Sequence, residues 1–420
     1  MVKARLSLMM FAQYFAWGIW LVPLSTFMSK GLKFDDIIGP AYGLIGIATI
    51  VSTLFMGMVA DRYFSAQKVM GILGLGAGAA LLWVSTITQS PSLFLFGLLI
   101  HFMFYASTIP LGTAVAFNAI GDVGKEFPAV RVWGTIGWIV GGLIIGLIPG
   151  AATTALPMQM AGIVYLLFGI YSFTLPDAPA RARGEKISIA GLFGLDIIFA
   201  YKNRAFWVFI VAMFVIMLPK TFYDTYANSF FAEKNLALTL FGYRLEATAI
   251  QTAGQMLEVV FLMCLPFLLL RMGIKWVLVL GMAAWGVRSL AFGYGFEGTQ
   301  AIIPLMLFGI IIHGVCYDFV FVSSQIYIDR KFDPSARSRA QAFLTLVTQG
   351  IGTVVGSNIA GAIYVANTVS AADHDWRAIW IFPAIASAIA MAIFALGFRD
   401  RKADHEREAV VAGTTGIAPV

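Results

Sequence analysis

Charge is scarce in this sequence. Asp, Glu, Lys and Arg make up 12% of its 420 residues, about half the share of a water-soluble domain. Too little polar surface is left to cover a soluble body, which excludes the string of soluble domains that length alone would suggest. Cysteine is scarcer still. Cys264 and Cys316 both lie in apolar runs, so the sequence spells neither a disulfide framework nor a thiolate metal site. The net charge of +6 is not gathered into a basic stripe on a soluble module, so nucleic acid is not an expected partner. No Walker loop, HExxH or GxSxG is present, which argues against ATP-driven work within the chain and against metalloprotease or hydrolase chemistry. The expectation is a protein that is not an enzyme, with no metal and no cofactor other than a proton as coupling ion. His374, between Asp373 and Asp375, reads as a solvated turn in an outer loop.

Apolar residues fill the chain instead: 60% of the total, with mean hydropathy +0.84. A membrane-spanning helix needs about 20 mostly apolar residues. Runs of that kind cover 6–29, 38–60, 69–88, 92–119, 130–149, 156–175, 205–232, 244–270, 274–295, 299–328, 337–366 and 376–398. Backbone groups cannot go unpaired in hydrocarbon, so these runs should be helical, and the alternation of a membrane barrel is absent. Met1 to Arg5 looks like the start of a signal peptide, but the apolar run after it is too long and no small-x-small site follows, so it reads as an uncleaved first helix.

The expected fold is all-α and integral to the membrane, with twelve transmembrane helices in two six-helix bundles. The longest charged interruption, Asp177 to Arg204, divides the spans six and six. This gives a first bundle over 1–176, a cytoplasmic linker with a surface helix over 177–204, a second bundle over 205–398 and a cytoplasmic tail over 399–420. Within the linker, Ile187 to Tyr201 is apolar but short, as suits a helix lying along the membrane surface. Lys and Arg concentrate in the loops on the side of the two termini, including Arg62, Lys68, Lys125, Arg181, Arg271, Lys275, Arg330 and Arg399; the opposite loops and flanks hold Lys30, Lys33, Lys234, Arg244 and Arg377. Positive residues stay inside, so both termini are expected in the cytoplasm of a bacterial cell, with the chain in its inner membrane. The fifth span carries Gly137, Gly141, Gly142 and Gly146, and the eleventh Gly352, Gly356 and Gly361. Small residues at such spacing let helices approach closely.

The polar residues inside the spans carry the functional argument, because a mid-bilayer charge costs about 2.5–3.5 kcal/mol on insertion scales. Gln251, Gln255 and Glu258 fall at i, i+4, i+7 on one face of span eight, where they line either a cavity or a helix contact. In span ten His313 and Tyr317 share a face, with Asp318 beside it, as a polar site or a structural knot. In span five Arg131, Thr135 and Trp138 place a cation, a hydroxyl and an indole on one stripe. Such a stripe suits a polar ligand with a flat ring, or serves as a basic anchor plus packing. Lys220 and Asp224 in span seven are i, i+4 after Pro219, and either neutralise each other or mark a gate at a kink. Gln13 and Trp17 offer a further polar–aromatic pair in span one.

Between spans two and three the run Gly57-Met-Val-Ala-Asp61-Arg62, with Lys68 beyond it, resembles the signature loop of the major facilitator superfamily, which in that superfamily latches the two halves on the cytoplasmic side. More closely, the chain resembles the bacterial nucleoside–proton symporters of that superfamily over nearly its whole length. The resemblance is carried by Arg131-Val-Trp-Gly-Thr135-Ile-Gly-Trp138, Phe64-Ser-Ala-Gln-Lys68, Gly194-Leu-Asp196, Gln255-Met-Leu-Glu258 and His313-Gly-Val-Cys-Tyr317-Asp318. It implies proton symport of nucleosides by alternating access. It also implies that Arg131, Thr135, Trp138, Gln255, Glu258, His313 and Tyr317 line the nucleoside site, and that Glu258 and Asp318 couple the proton. Thr221 and Asp224 stand where well-known members carry an amide-bearing pair, and Trp138, His313 and Tyr317 where they carry other aromatics. The base and sugar preference therefore stays open. The expected partners are a nucleoside and the lipid bilayer, for a chain acting as a monomer. A sugar or oligosaccharide symporter of the same fold, or a receptor that does not transport, are the alternatives.

Overall fold

The computed structural model describes residues 2–55, 63–179, 188–200, 203–370 and 373–399. The apolar runs are helices, which pair every backbone group internally as lipid demands. They are α1 (Val2–Leu32), α2 (Asp35–Phe55), α3 (Ala66–Val84), α4 (Pro91–Ala119), α5 (Val123–Leu147), α6 (Leu156–Ser172) and α7 (Arg204–Glu233). Ala247–Gly293 is two spans joined end to end. Gly273 lies between them at φ 76°, a backbone region where a side chain is strained, which divides α8 (247–272) from α9 (274–293). Then follow α10 (Ile303–Ile311 and His313–Lys331, bent by 43°), α11 (Ala336–Ala366) and α12 (Trp376–Gly397). The expected twelve helices are present. Gly57, Asp61 and Arg62, which carry the superfamily loop motif, lie outside the described residues, as do linker positions 180–187 and 201–202 and the tail from 400 onward.

Two spans, α8 and α10, begin later than the hydropathy runs suggest because short hairpins take up their ends, and a third hairpin joins α11 to α12. Leu238–Leu240 pairs with Tyr243–Leu245, Phe296–Glu297 with Gln300–Ala301, and Thr368–Ser370 with Asp373–His374. All three sit at the end of the bundle away from the termini. The third corrects the reading of His374 as a solvated turn. The hairpin folds back over the end of α7, burying His374 with its Nδ1 2.9 Å from Glu233 Oε2 and its ring stacked 4.1 Å from that of Tyr364.

The halves repeat each other in their breaks. The helix is interrupted at 21–23 in α1, at Ser107 in α4, at Ile216 in α7 and at Ile312 in α10, the first and fourth spans of each half. Interrupted helices at matching positions of two repeats are where transporters of this architecture build their sites. The glycines repeat as well. In α5, Gly137 and Gly141 pack on α1 while Gly142 and Gly146 face α8; in α11, Gly352 and Gly356 pack on α7 while Gly361 faces α2. The halves therefore meet along α5–α8 and α2–α11.

Among the described residues, the hydrogen bonds joining the halves cluster at the end away from the termini. Thr26 donates to Asn228 Oδ1 at 2.7 Å, Lys30 to the Ala232 carbonyl at 2.8 Å, and Tyr364 to Asp35 Oδ1 at 3.1 Å. The Glu246 amide donates to the Gly146 carbonyl at 3.0 Å. This end is closed. Its closure depends on bare backbone: a Cβ on Gly39 would lie 2.6 Å from the Ser357 carbonyl oxygen and 2.7 Å from Gly361 Cα. Gly39→Val should therefore lower the melting temperature of the detergent-solubilised protein by the equivalent of about 1–3 kcal/mol and abolish uptake. Gly121→Ala, with nothing within 4 Å, should leave both unchanged. Equal behaviour of the two variants would refute this account of the closure.

The linker is tied to both halves. At its start the Gln67 amide donates to Asp177 Oδ1 at 2.6 Å, and this bond holds the Asp177 carboxyl below the usual carboxylate range. Further on, Ile189–Leu192 and Asp196–Ala200 are short helices, and Asp196 pairs with Arg339 at the start of α11.

Candidate functional site

Five polar side chains from three helices of the second half form one connected line. Lys220 and Asp224 lie one turn apart on α7 just past its break, and their ion pair closes at 2.6 Å. Tyr317 of α10 donates its hydroxyl to the other oxygen of Asp224. His313, one turn earlier, stacks on Tyr317 with ring centroids 4.3 Å apart and planes 22° apart. Its Nε2 lies 3.5 Å from Glu258 Oε2 on α8. Local structure sets this line up. The break at Ile312 restarts the helix at His313, so that His313 and Tyr317 fall on one face. Glycines then bring the helices together, since a Cβ on Gly254 would lie 2.8 Å from the Ile310 carbonyl and one on Gly314 2.8 Å from Glu258 Cα.

Asp318 stands beside this line. It opens a π-helical turn, Asp318–Val322, a distortion that recurs at functional sites. It is 2% exposed, and its Oδ2 has no hydrogen-bond partner. A buried polar atom left unpaired is costly. Glu258 itself keeps 32% of its side chain accessible. The pair thus combines one partly accessible carboxyl with one sealed beside it.

The first half contributes α5. Arg131 lies over the ring of Tyr14 at 4.3 Å, and Trp138 meets Trp17 edge-on at 5.1 Å. Thr135 is half-buried between them. α5 packs on α8 through Gly142 and Gly146, so its stripe lies at the boundary with the half that carries the α8–α10 cluster.

Other polar residues singled out in the sequence do different work. Gln251 accepts from Asn228, which also donates to Thr248 and accepts from Thr26, so it belongs to the closed end. Gln255 is half-buried, with its Oε1 unpartnered. Thr221 turns to α11: its hydroxyl donates to the Met217 and Leu218 carbonyls and packs against Gly356. Gln13 donates to Thr108 Oγ1 at 3.0 Å, a buried tie between α1 and α4. His101 is held by the Ala77 carbonyl at 2.9 Å. Among the described residues no group of three or more His, Cys, Asp or Glu could hold a metal ion. Asn228, the hub of the closed end, carries no mark in the sequence beyond lying one turn after Asp224.

Three comparisons bear on this arrangement. The family model described as "Nucleoside H+ symporter" matches residues 1–403. YegT of Escherichia coli is 34% identical, the match covering 99% of this chain and 97% of that protein. The xanthosine permease of Escherichia coli is 30% identical, covering 97% of this chain and 98% of the permease. Among solved structures, the nucleoside transporter NupG superposes with a TM-score of 0.84 at 26% identity, over 95% of this chain and 99% of that one.

Proposed function

The chain belongs to the nucleoside H+ symporter family, and we propose on that footing that it imports nucleosides together with protons by alternating access of one central site. It is a multi-pass membrane transporter. The orientation read from the loops places both termini in the cytoplasm and the chain in a bacterial inner membrane, so that the closed end faces outward. The units taken to rock against each other are the bundles 1–176 and 205–398, joined by 177–204, with 399–420 as a tail.

The observation that carries the site assignment is the unbroken line Glu258–His313–Tyr317–Asp224–Lys220, set within the spans. In this reading the base stacks on Trp138 or on the His313–Tyr317 pair, as a flat ring does on aromatic faces. Arg131, Thr135, Gln255 and Glu258 bond ribose hydroxyls and ring heteroatoms, with Asp224 oriented by Tyr317 and Thr221 supporting the α7 wall. Glu258 and Asp318 take up the proton. Neutralising one of them removes a charge whose burial opposes rocking, so proton and nucleoside cross together. Closure on the cytoplasmic side falls to the loop of Gly57, Asp61 and Arg62.

Proteoliposomes with an imposed inward proton gradient should accumulate a labelled nucleoside, and unlabelled nucleosides rather than sugars should compete. Nucleosides should likewise raise the melting temperature of the solubilised protein, because a ligand bound only by the folded state stabilises it. Accumulation that survives collapse of the gradient, or competition by sugars alone, overturns the reading.

A further inference from the structure

One strong charge in the second half has no place in that scheme. Arg288 of α9 is completely buried, and a guanidinium does not lose its proton in a protein. Its Nε donates to the Gly309 carbonyl at 2.8 Å, while Nη1 and Nη2 have no hydrogen-bond partner. The group lies over the Tyr223 ring at 4.2 Å and the Trp285 ring at 5.0 Å. Two rings and one carbonyl do not neutralise it: a cation–π contact offsets only part of the cost of taking a full charge out of water.

The balancing charge lies one ring further on. Tyr223 packs against His313 at 5.6 Å and Trp285 against Tyr317 at 5.2 Å, the residues that hold Glu258 and Asp224. Asp224 is already matched by Lys220. Glu258 and Asp318 remain, and Glu258 lies 3.5 Å from the His313 ring on which Tyr223 packs. Arg131 belongs to the other half, whereas Arg288 shares its half with both acids in every state.

We infer that Arg288 is the resident counter-charge of the transport cycle: it balances the carboxylate left when Glu258 gives up its proton, and so lets the empty carrier return without one. Arg288 acts through the acids and touches no substrate. The inference rests on the assignment of proton coupling to Glu258 and Asp318.

The test compares exchange at equal pH with gradient-driven accumulation in proteoliposomes, for Arg288→Met and Arg288→Lys beside Glu258→Gln and Asp318→Asn. Arg288→Met should keep nucleoside exchange and lose accumulation by about tenfold or more, because an unbalanced buried carboxylate holds its proton. Arg288→Lys, which restores charge without the planar fork, should recover accumulation. Parent-like accumulation by Arg288→Met overturns the inference. So does joint loss of exchange and accumulation that Lys does not repair, which marks a packing role. If the coupling assignment itself is at fault, Glu258→Gln and Asp318→Asn accumulate normally; if only Arg288 is misassigned, those two fail while Arg288→Met succeeds.

Discussion

Neutralising Glu258 and Asp318 by Glu258→Gln and Asp318→Asn should abolish concentrative uptake, with nucleoside exchange intact in Asp318→Asn and weakened but measurable in Glu258→Gln, whose amide keeps only part of the hydrogen bonding to the nucleoside. The amides keep the shape of a protonated carboxyl but cannot release a proton, so the carrier rocks freely and the gradient no longer drives it. Each pH unit is worth 1.36 kcal/mol. A one-unit gradient therefore supports about tenfold accumulation at one proton per nucleoside, and the variant that removes the coupling group should fall to about unity. On that assignment Glu258, 32% accessible and 3.5 Å from His313 Nε2, takes up the proton, and Asp318, buried with one oxygen unpartnered, is the acid whose charge opposes movement. Full gradient-driven accumulation by both variants removes the assignment.

The second large effect concerns folding. Asp224→Ala leaves Lys220, whose side chain is only 12% exposed, without its carboxylate. Asp224 is itself 33% exposed, so breaking this partly buried pair from one side costs less than the roughly 3–5 kcal/mol of a fully buried one. The cost is on the order of 2 kcal/mol once solvent screening is counted, still a sizeable part of a typical net stability of about 5–15 kcal/mol. The single variant should yield little monodisperse protein and a sharply lowered melting temperature. Adding Lys220→Met removes the stranded cation, so the double variant should recover most of the stability. It should not recover nucleoside binding, because Tyr317 has then lost the acceptor that orients it. Size-exclusion profiles and melting curves decide the first point, and ligand-induced shifts the second. A single variant as stable as the parent would show that Lys220 finds other partners.

How much of the site could be read in the sequence depends on spacing. His313 with Tyr317, and Lys220 with Asp224, are one helical turn apart, and such pairs meet whatever the tertiary fold; both do so here. Contacts between elements had no such signal. Nothing in the local sequence said that Tyr317 would bond Asp224, or that Gln251 would tie into the closed end while Gln255 stayed unpartnered. Thr221 lies on the same helix as Asp224 yet faces α11, because Gly356 opens a slot for it. His374 was misread for a related reason. Its flanking aspartates look solvated in sequence, and only the hairpin that folds over Glu233 buries it.

Taken alone, the sequence determined that the protein lives in lipid, that its spans are helices, and that they number twelve in two halves. Those features follow from composition and from the backbone's need for internal hydrogen bonds, which act residue by residue along the chain. Tertiary structure alone decided which buried charges face one another, which end is closed, and that Arg288 lies fully buried behind the site with two nitrogens free. Such facts depend on how closely helices far apart in the chain approach, and that is set by glycines and helix breaks whose effect exists only once their partners are in place.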